Sequence, residues 1–85
     1  MFTGIIESLG EITAIEKEGE NYHFTIESDI SKELKIDQSV AHNGVCLTVV
    51  EKTKKNHTVT AIYETVQKTN MGFLKVGSLL NLERC

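Results

Sequence analysis

Proline is absent from this 85-residue chain, and no low-complexity tract or internal repeat is visible in it, so nothing points to a linker. Cysteine is scarce. Cys46 sits inside an apolar stretch and Cys85 is the last residue, too few and too differently placed for a disulfide framework, so both are expected as reduced thiols. No apolar run approaches the roughly 20 residues that cross a bilayer, and the N-terminus lacks the basic and apolar regions of a secretory signal. No membrane partner is expected, and the location implied is cytoplasmic. Positive charge is sparse as well: the net charge is −3 and the lysines are scattered, which leaves no basic stripe for a phosphate backbone. Lys52, Lys54 and Lys55 cluster only as the solvated tip of a loop. His23, His42 and His57 are widely spaced, without the flanking acids or cysteines of a metal site, and are expected to be structural or exposed.

What is present is an ordinary globular composition, 40% apolar and 25% charged, in a length that suits one domain and one core. The apolar start Met1 to Ile6, with Ile12, Ala14 and Ile15, reads as a long first strand that ends in the Glu-rich segment Glu16 to Glu20, with a turn near Gly19. Tyr22, Phe24 and Ile26 alternate with His23, Thr25 and Glu27, the period of a strand with one buried face. Ser28 or Asp29 caps a short helix carrying Ile30 and Leu34. Strand signals return at Ser39 to His42. Asn43-Gly44 marks a tight reversal into Val45 to Val50, and a polar loop at Lys52 to Asn56 leads into a strand from His57 to Tyr63. A short helix over Glu64 to Asn70 ends near Gly72, and Ser78 to Leu82 forms the last strand. About six strands with strong turn chemistry imply an all-β fold, a small closed or partly closed antiparallel barrel, with a tiny sandwich as the alternative.

Residue chemistry alone stops there, because no metal cluster, nucleophile–base pair or phosphate loop is visible. Four segments go further. Met1-Phe2-Thr3-Gly4-Ile5-Ile6-Glu7, Ala41-His42-Asn43-Gly44-Val45-Cys46-Leu47-Thr48-Val49, Glu64-Thr65-Val66-Gln67-Lys68-Thr69-Asn70, and Leu74-Lys75-Val76-Gly77 with Asn81-Leu82-Glu83-Arg84 resemble riboflavin synthase in order and spacing. The resemblance implies a six-stranded Greek-key barrel with one or two short helices, corresponding over residues 1–85 to the N-terminal half of a tandemly duplicated enzyme. That family dismutates two molecules of 6,7-dimethyl-8-ribityllumazine, giving riboflavin and 5-amino-6-ribitylamino-pyrimidinedione by transfer of a four-carbon unit, with no cofactor or metal. The lumazine C7 methyl is already acidic, so the main task is to stack two copies in register.

The resemblance also suggests roles. Gly4, Ile5 and Ile6 match a strand whose backbone meets the heterocycle, glycine allowing close approach; the plain alternative is a turn before a core strand. Phe2 matches an aromatic near the active site, or is simply core. Cys46 and Thr48 share one side of a strand and Leu47 takes the other. Thr48 would bond the pyrimidine edge or the ribityl chain, and Cys46 would be a polarizable wall, a weak nucleophile or an inert buried thiol. The stretch Thr60, Ala61, Ile62, Tyr63, Glu64, Thr65 matches main-chain groups that pair with the pyrimidinedione, Thr65 being the favoured side chain and Glu64 an exposed helix start. Here Ile62 stands where methionine is common, and Thr60-Ala61 where an aromatic–acidic pair often stands. Ser39 is a weaker candidate, for the ribityl tail. The isolated half would bind ligand with little or no turnover, form a homodimer through the face left open by the missing barrel, and belong to a trimer at full length.

Two other readings compete. A non-catalytic lumazine or flavin carrier would share the barrel but tends to lose parts of the Asn-Gly-x-Cys-Leu-Thr-Val and Glu-Thr segments kept here. An OB-like nucleic-acid module would share the geometry, yet Phe2, Tyr22, Phe24, Tyr63 and Phe73 are the only aromatics available for stacking.

Overall fold

Period-two burial generates the strands. In β2 (Asn21–Ser28), Phe24 and Ile26 are buried while Glu27 is exposed, and β4 (Val45–Lys52) alternates exposed Cys46 and Thr48 with buried Leu47 and Val49. The computed structural model describes residues 8–84. Within them, β1 (Ser8–Glu18), β2, β3 (Ser39–His42), β4, β5 (Asn56–Ala61) and β6 (Leu79–Arg84) form an antiparallel closed barrel in the order β1-β2-β5-β4-β3-β6, with β6 pairing back onto β1. Closure leaves no open sheet edge, and it is the barrel alternative, not the sandwich, that the chain adopts. Helix α1 (Tyr63–Lys68) and two 3₁₀ turns (Ser31–Glu33 and Asn70–Phe73) fill the connections.

Inward-facing Ile12, Phe24, Ile26, Val40, Val49, Val59, Leu80 and Leu82 make the core, and Leu34 and Met71 from the 3₁₀ segments add to it. Each fully buried side chain of this size contributes about 1.5–3 kcal/mol. Gly10 of β1 is pinned between neighbours. A Cβ there would stand 2.5 Å from Ile26 Cγ2 and 2.8 Å from Leu82 Cδ1.

The backbone has a repeat that residue identity shows only over one short segment. After each 3₁₀ turn the chain runs through Leu-Lys-Ile-Asp (34–37) or Leu-Lys-Val-Gly (74–77), with positive φ at Asp37 (73°) and Gly77 (94°). The Gln38 side chain accepts from the Lys35 amide, and the Ser78 hydroxyl accepts from the Lys75 amide, both at 2.9 Å. The first turn then clasps β4: Asp37 N donates to Val49 O (2.8 Å) and Val49 N to Gln38 O (2.9 Å). The second clasps β1 in the same way, Gly77 N to Ile12 O (2.7 Å) and Ile12 N to Ser78 O (2.9 Å). Each clasped residue borders a register shift, between Ile12 and Ala14 in β1 and between Val49 and Glu51 in β4. β1, β2 and β3 thus correspond to β4, β5 and β6 about a pseudo-two-fold.

Three sequence expectations shift. Ser28 and Asp29 cap no helix: the segment is a 3₁₀ turn with Ile30 at its N-cap, and Ser28 Oγ instead bonds Ser31 Oγ at 2.8 Å. The fifth strand stops at Ala61, because Ile62 (φ −76°, ψ 161°) opens α1 and its carbonyl accepts from Val66 N at 3.0 Å. The last strand runs on to Arg84, paired with both β1 and β3.

Two of the histidines form a neutral chain in the interior. His42 and His57 are fully buried, and their Nε2 atoms lie 3.0 Å apart. Val40 O can only accept, so His42 Nδ1 donates to it (2.9 Å), which leaves His42 Nε2 bare to accept from His57 Nε2–H. His57 Nδ1 then accepts from Ser31 Oγ (2.7 Å), and Ser31 Oγ from Ser28 Oγ (2.8 Å). Burial, and for His42 secondarily the charge of His57 against its backbone bond to Val40, pushes both rings down to about 4.

Two predictions follow from this interior. The unfolded rings titrate near 6.5 and the folded ones near 4, so as pH falls through that interval the unfolded chain takes up protons that the native chain refuses. Stability present above pH 6.5 is therefore lost on acidification, by about 1.4 kcal/mol per pH unit for each ring at full difference. Urea midpoints measured from pH 7.5 to 4.5 should fall across the window; a flat profile down to pH 5 contradicts the neutral chain. Separately, Gly10→Ala should cost about 1–3 kcal/mol in chemical denaturation, the usual penalty of overpacking.

Candidate functional site

Asn43 and Gly44, both at positive φ (53° and 86°), reverse β3 into β4 by the turn that matches strand twist. Asn43 also anchors the turn to β6: its amide donates to Asn81 O (2.8 Å) and its Oδ1 accepts from Asn81 N (2.7 Å). Val45 and Cys46 leave this turn to form one wall of a cleft. The other wall is α1, which starts where β5 ends. Its N-cap Ile62 and its residues Glu64, Thr65 and Lys68, with Thr69 behind them, complete a cleft of about 370 Å³.

Short as it is, α1 is tied at both ends. Glu64 and Lys68 pair at 2.7 Å with i,i+4 spacing, an exposed contact worth a few tenths of a kcal/mol by about. Thr69 closes the helix, its hydroxyl donating to Thr65 O (2.7 Å) and accepting from Met71 N (3.2 Å). The cleft thereby combines apolar Val45 and Ile62 with the sulfur of Cys46, the hydroxyls of Thr65 and Thr69, and the main chain at the end of β5. An apolar cleft with a few polar groups at its rim is the usual make-up of a small-molecule site.

Cys46, Ile62, Glu64 and Thr65 come together in this cleft, and Cys46 is exposed on the barrel's outer face, not an inert buried thiol. Thr48 shares that outer face and is paired across the ladder with Ser39, also exposed. Thr60 faces outward on β5, its hydroxyl 2.8 Å from His23 Nδ1. Tyr63 is exposed beside the cleft without lining it. Leu47, on the side opposite Cys46 and Thr48 as alternation implies, and Ala61 both turn into the core, so only their backbone is available to a ligand. Phe2, Gly4, Ile5 and Ile6 lie outside the described residues. Lys68, Thr69 and Val45 escaped sequence reasoning; the Glu64–Lys68 spacing was the one signal that could have placed Lys68.

Two wider concavities lie elsewhere. One, of about 500 Å³, is lined largely by charged side chains including Lys32, Lys54, Glu27 and Asp29, with Leu9 and Leu79 at its edge. The other, of about 420 Å³, runs past His23, Thr25 and Thr58. Among the described residues, no group of three or more His, Cys, Asp or Glu side chains is arranged to hold a metal ion, and no helix is long and apolar enough to cross a membrane.

Comparison with known proteins agrees with this geometry. The riboflavin synthase of Bacillus subtilis (strain 168) is 45% identical over 85 residues, and that of Photobacterium phosphoreum 40% identical over 86 residues. Each match takes in 99% of this chain but only 40% and 39% of the relative, so the chain spans about two-fifths of the length of these enzymes. Among solved structures, LumP complexed with 6,7-dimethyl-8-(1′-D-ribityl)lumazine superposes with a TM-score of 0.92 at 28% identity, covering 100% of this chain and 49% of that one. LumP complexed with riboflavin gives 0.91 at 28% identity, over 99% and 46%. The family model for the lumazine binding domain matches residues 3–85, and the chain belongs to that family.

Proposed function

We propose that this chain is the N-terminal half of a riboflavin synthase and that its outer cleft binds 6,7-dimethyl-8-ribityllumazine or riboflavin. One observation carries the reading: Cys46 of β4, with Ile62 and Thr65 of the α1 segment, lines one cleft on a barrel that superposes on a protein solved with ribityllumazine. The extended backbone at Ile62 offers main-chain groups to the imide edge, as a strand offers them to a neighbour. Val45 and Ile62 would lie against the ring, with the Cys46 sulfur as a polarizable wall.

The whole enzyme would be a transferase in which two such rings are held in register, so its chemistry is one of orientation. This half supplies one seat, and turnover by the half alone is expected to be slight or nil. No cofactor or metal enters the scheme, and the setting is cytoplasmic. Leu9 and Leu79, on neighbouring strands, and Phe73 are exposed apolar side chains that a second barrel would cover. A homodimer is the expected state of the half, and a trimer that of the full-length enzyme.

Titration with riboflavin, read by flavin fluorescence, should give a Kd in the micromolar range or tighter, about −8 kcal/mol or better. Ile62→Asp should weaken binding by about tenfold while leaving the melting temperature near that of the parent, since Ile62 is exposed. Absence of binding by well-folded protein to either riboflavin or the lumazine defeats the proposal. Lumazine turnover on adding the matching C-terminal half separates an enzyme half from a carrier, and sedimentation at high concentration tests the dimer.

A further inference from the structure

The strand ladder lays a row of polar side chains across the outer wall. Ser39 pairs with Thr48, Val49 with Val59, and Thr60 with His23. Val49 and Val59 point inward, so Thr48 and Thr60, one residue to either side, take adjoining outward positions. Cys46 of the cleft is two residues from Thr48, and Ile62 two residues from Thr60. Past Thr60 the wall continues into the groove that holds His23, Thr58, Glu16, Glu18 and Glu51.

His23 is held from both sides. Its Nε2 lies 3.0 Å from Glu18 Oε1 and its Nδ1 2.8 Å from Thr60 Oγ1. An ionised carboxylate only accepts, so Nε2 carries the hydrogen, and in the neutral ring Nδ1 is left bare. The Thr60 hydroxyl must then donate to His23, which turns its oxygen lone pairs outward. Without His23 that hydroxyl would rotate freely between donor and acceptor. The groove's charge is one-sided, since Glu16, Glu18 and Glu51 line it with no lysine. Lys17 is turned onto the Tyr22 ring, 5.8 Å from its centroid, and Lys68 is engaged by Glu64.

We infer that His23, fixed by Glu18, is a positioning residue that presents Thr60 as the hydrogen-bond acceptor for the polyol tail of the cleft's ligand, and that the groove's carboxylates restrict this tail to an uncharged polyol. The inference rests on the functional reading above and adds the selectivity for the tail.

The test uses three probes at pH 8: riboflavin, the flavin ring with methyl in place of the ribityl chain, and the 5′-phosphate ester of riboflavin. The parent chain should bind riboflavin about tenfold more tightly than either other probe, a gap of about one or two hydrogen bonds. His23→Leu and, on the exposed side, Glu18→Ala should each lower riboflavin affinity by about fivefold and leave the tail-less flavin unchanged. Thr60→Val should do the same, and the Thr60→Val/His23→Leu double variant should lose no more than Thr60→Val alone. Glu16→Gln with Glu51→Gln should raise affinity for the phosphate ester. Equal loss for the tailed and tail-less flavins in His23→Leu, or equal binding of all three probes by the parent, overturns the inference and leaves the cleft assignment standing. Binding of no probe overturns the functional reading and the inference with it.

Discussion

The barrel is held shut by two reciprocal main-chain clasps. In each, a tight turn with one residue at positive φ reaches across to the bulged strand of the other half-repeat, Asp37 and Gln38 onto Val49, Gly77 and Ser78 onto Ile12. A bulge interrupts a ladder and leaves backbone groups to be satisfied, and a buried unsatisfied amide or carbonyl costs about 1–3 kcal/mol. The clasps satisfy the amides and carbonyls of Ile12 and Val49 on the edge opposite each bulge, and they fix where β3 and β6 begin. The start of β3 decides the register Ser39–Thr48 and Ala41–Cys46, and with it which residues of β4 face outward. The cleft's geometry therefore depends on a turn, Asp37–Gln38, that lends the cleft no side chain of its own.

Much of this was legible in the residues, and the reasons differ by element. Alternation in Tyr22 to Glu27 and in Val45 to Val50 marked β2 and β4, because each has one face in the core. Asn43-Gly44 marked the hairpin because few residues tolerate positive φ twice in succession. The internal two-fold was hidden. Its halves share geometry, but Asp37 stands where Gly77 does, and Gln38 does with an amide oxygen what Ser78 does with a hydroxyl. Different chemistry serves the same backbone need, and the one match in identity, Leu34-Lys35-Ile36 with Leu74-Lys75-Val76, is too short to reveal the repeat by itself.

The histidine chain was hidden for another reason. His42 and His57 meet only because the closed ladder turns β3 and β5 inward at the same level, and spacing along the chain carries no trace of that. The expectation of structural or exposed histidines named no partner for any of them, and the buried pair is more specific than that description. A single acceptor, the Val40 carbonyl, dictates the direction of every hydrogen bond out to Ser28. A polar network with only one satisfying arrangement favours one packing of the 3₁₀ segment, β2, β3 and β5 over looser alternatives, at the cost of working only while both rings are neutral.

The inner and outer faces of the same strands therefore divide the labour. Leu47, Val49, Val59 and Ala61 build the core, while Cys46, Thr48 and Thr60, interleaved with them, build the outer wall to which the proposed function assigns the ligand. Because the period is two, a one-residue slip in β4 or β5 would bury the hydroxyls and expose the core, so the hydrophobic demand that folds the barrel also holds the outer row in register. That explains how so small a domain keeps a defined site without a deep cavity. The cleft needs only one helix, α1, leaned against a wall already set by the core, and Thr69 ends that helix where the wall needs it. The outward residues can change without disturbing the core. The dipeptide Thr60-Ala61 shows the division within two residues: Ala61 fills the interior, and the outward hydroxyl of Thr60 meets His23 of the neighbouring strand at 2.8 Å.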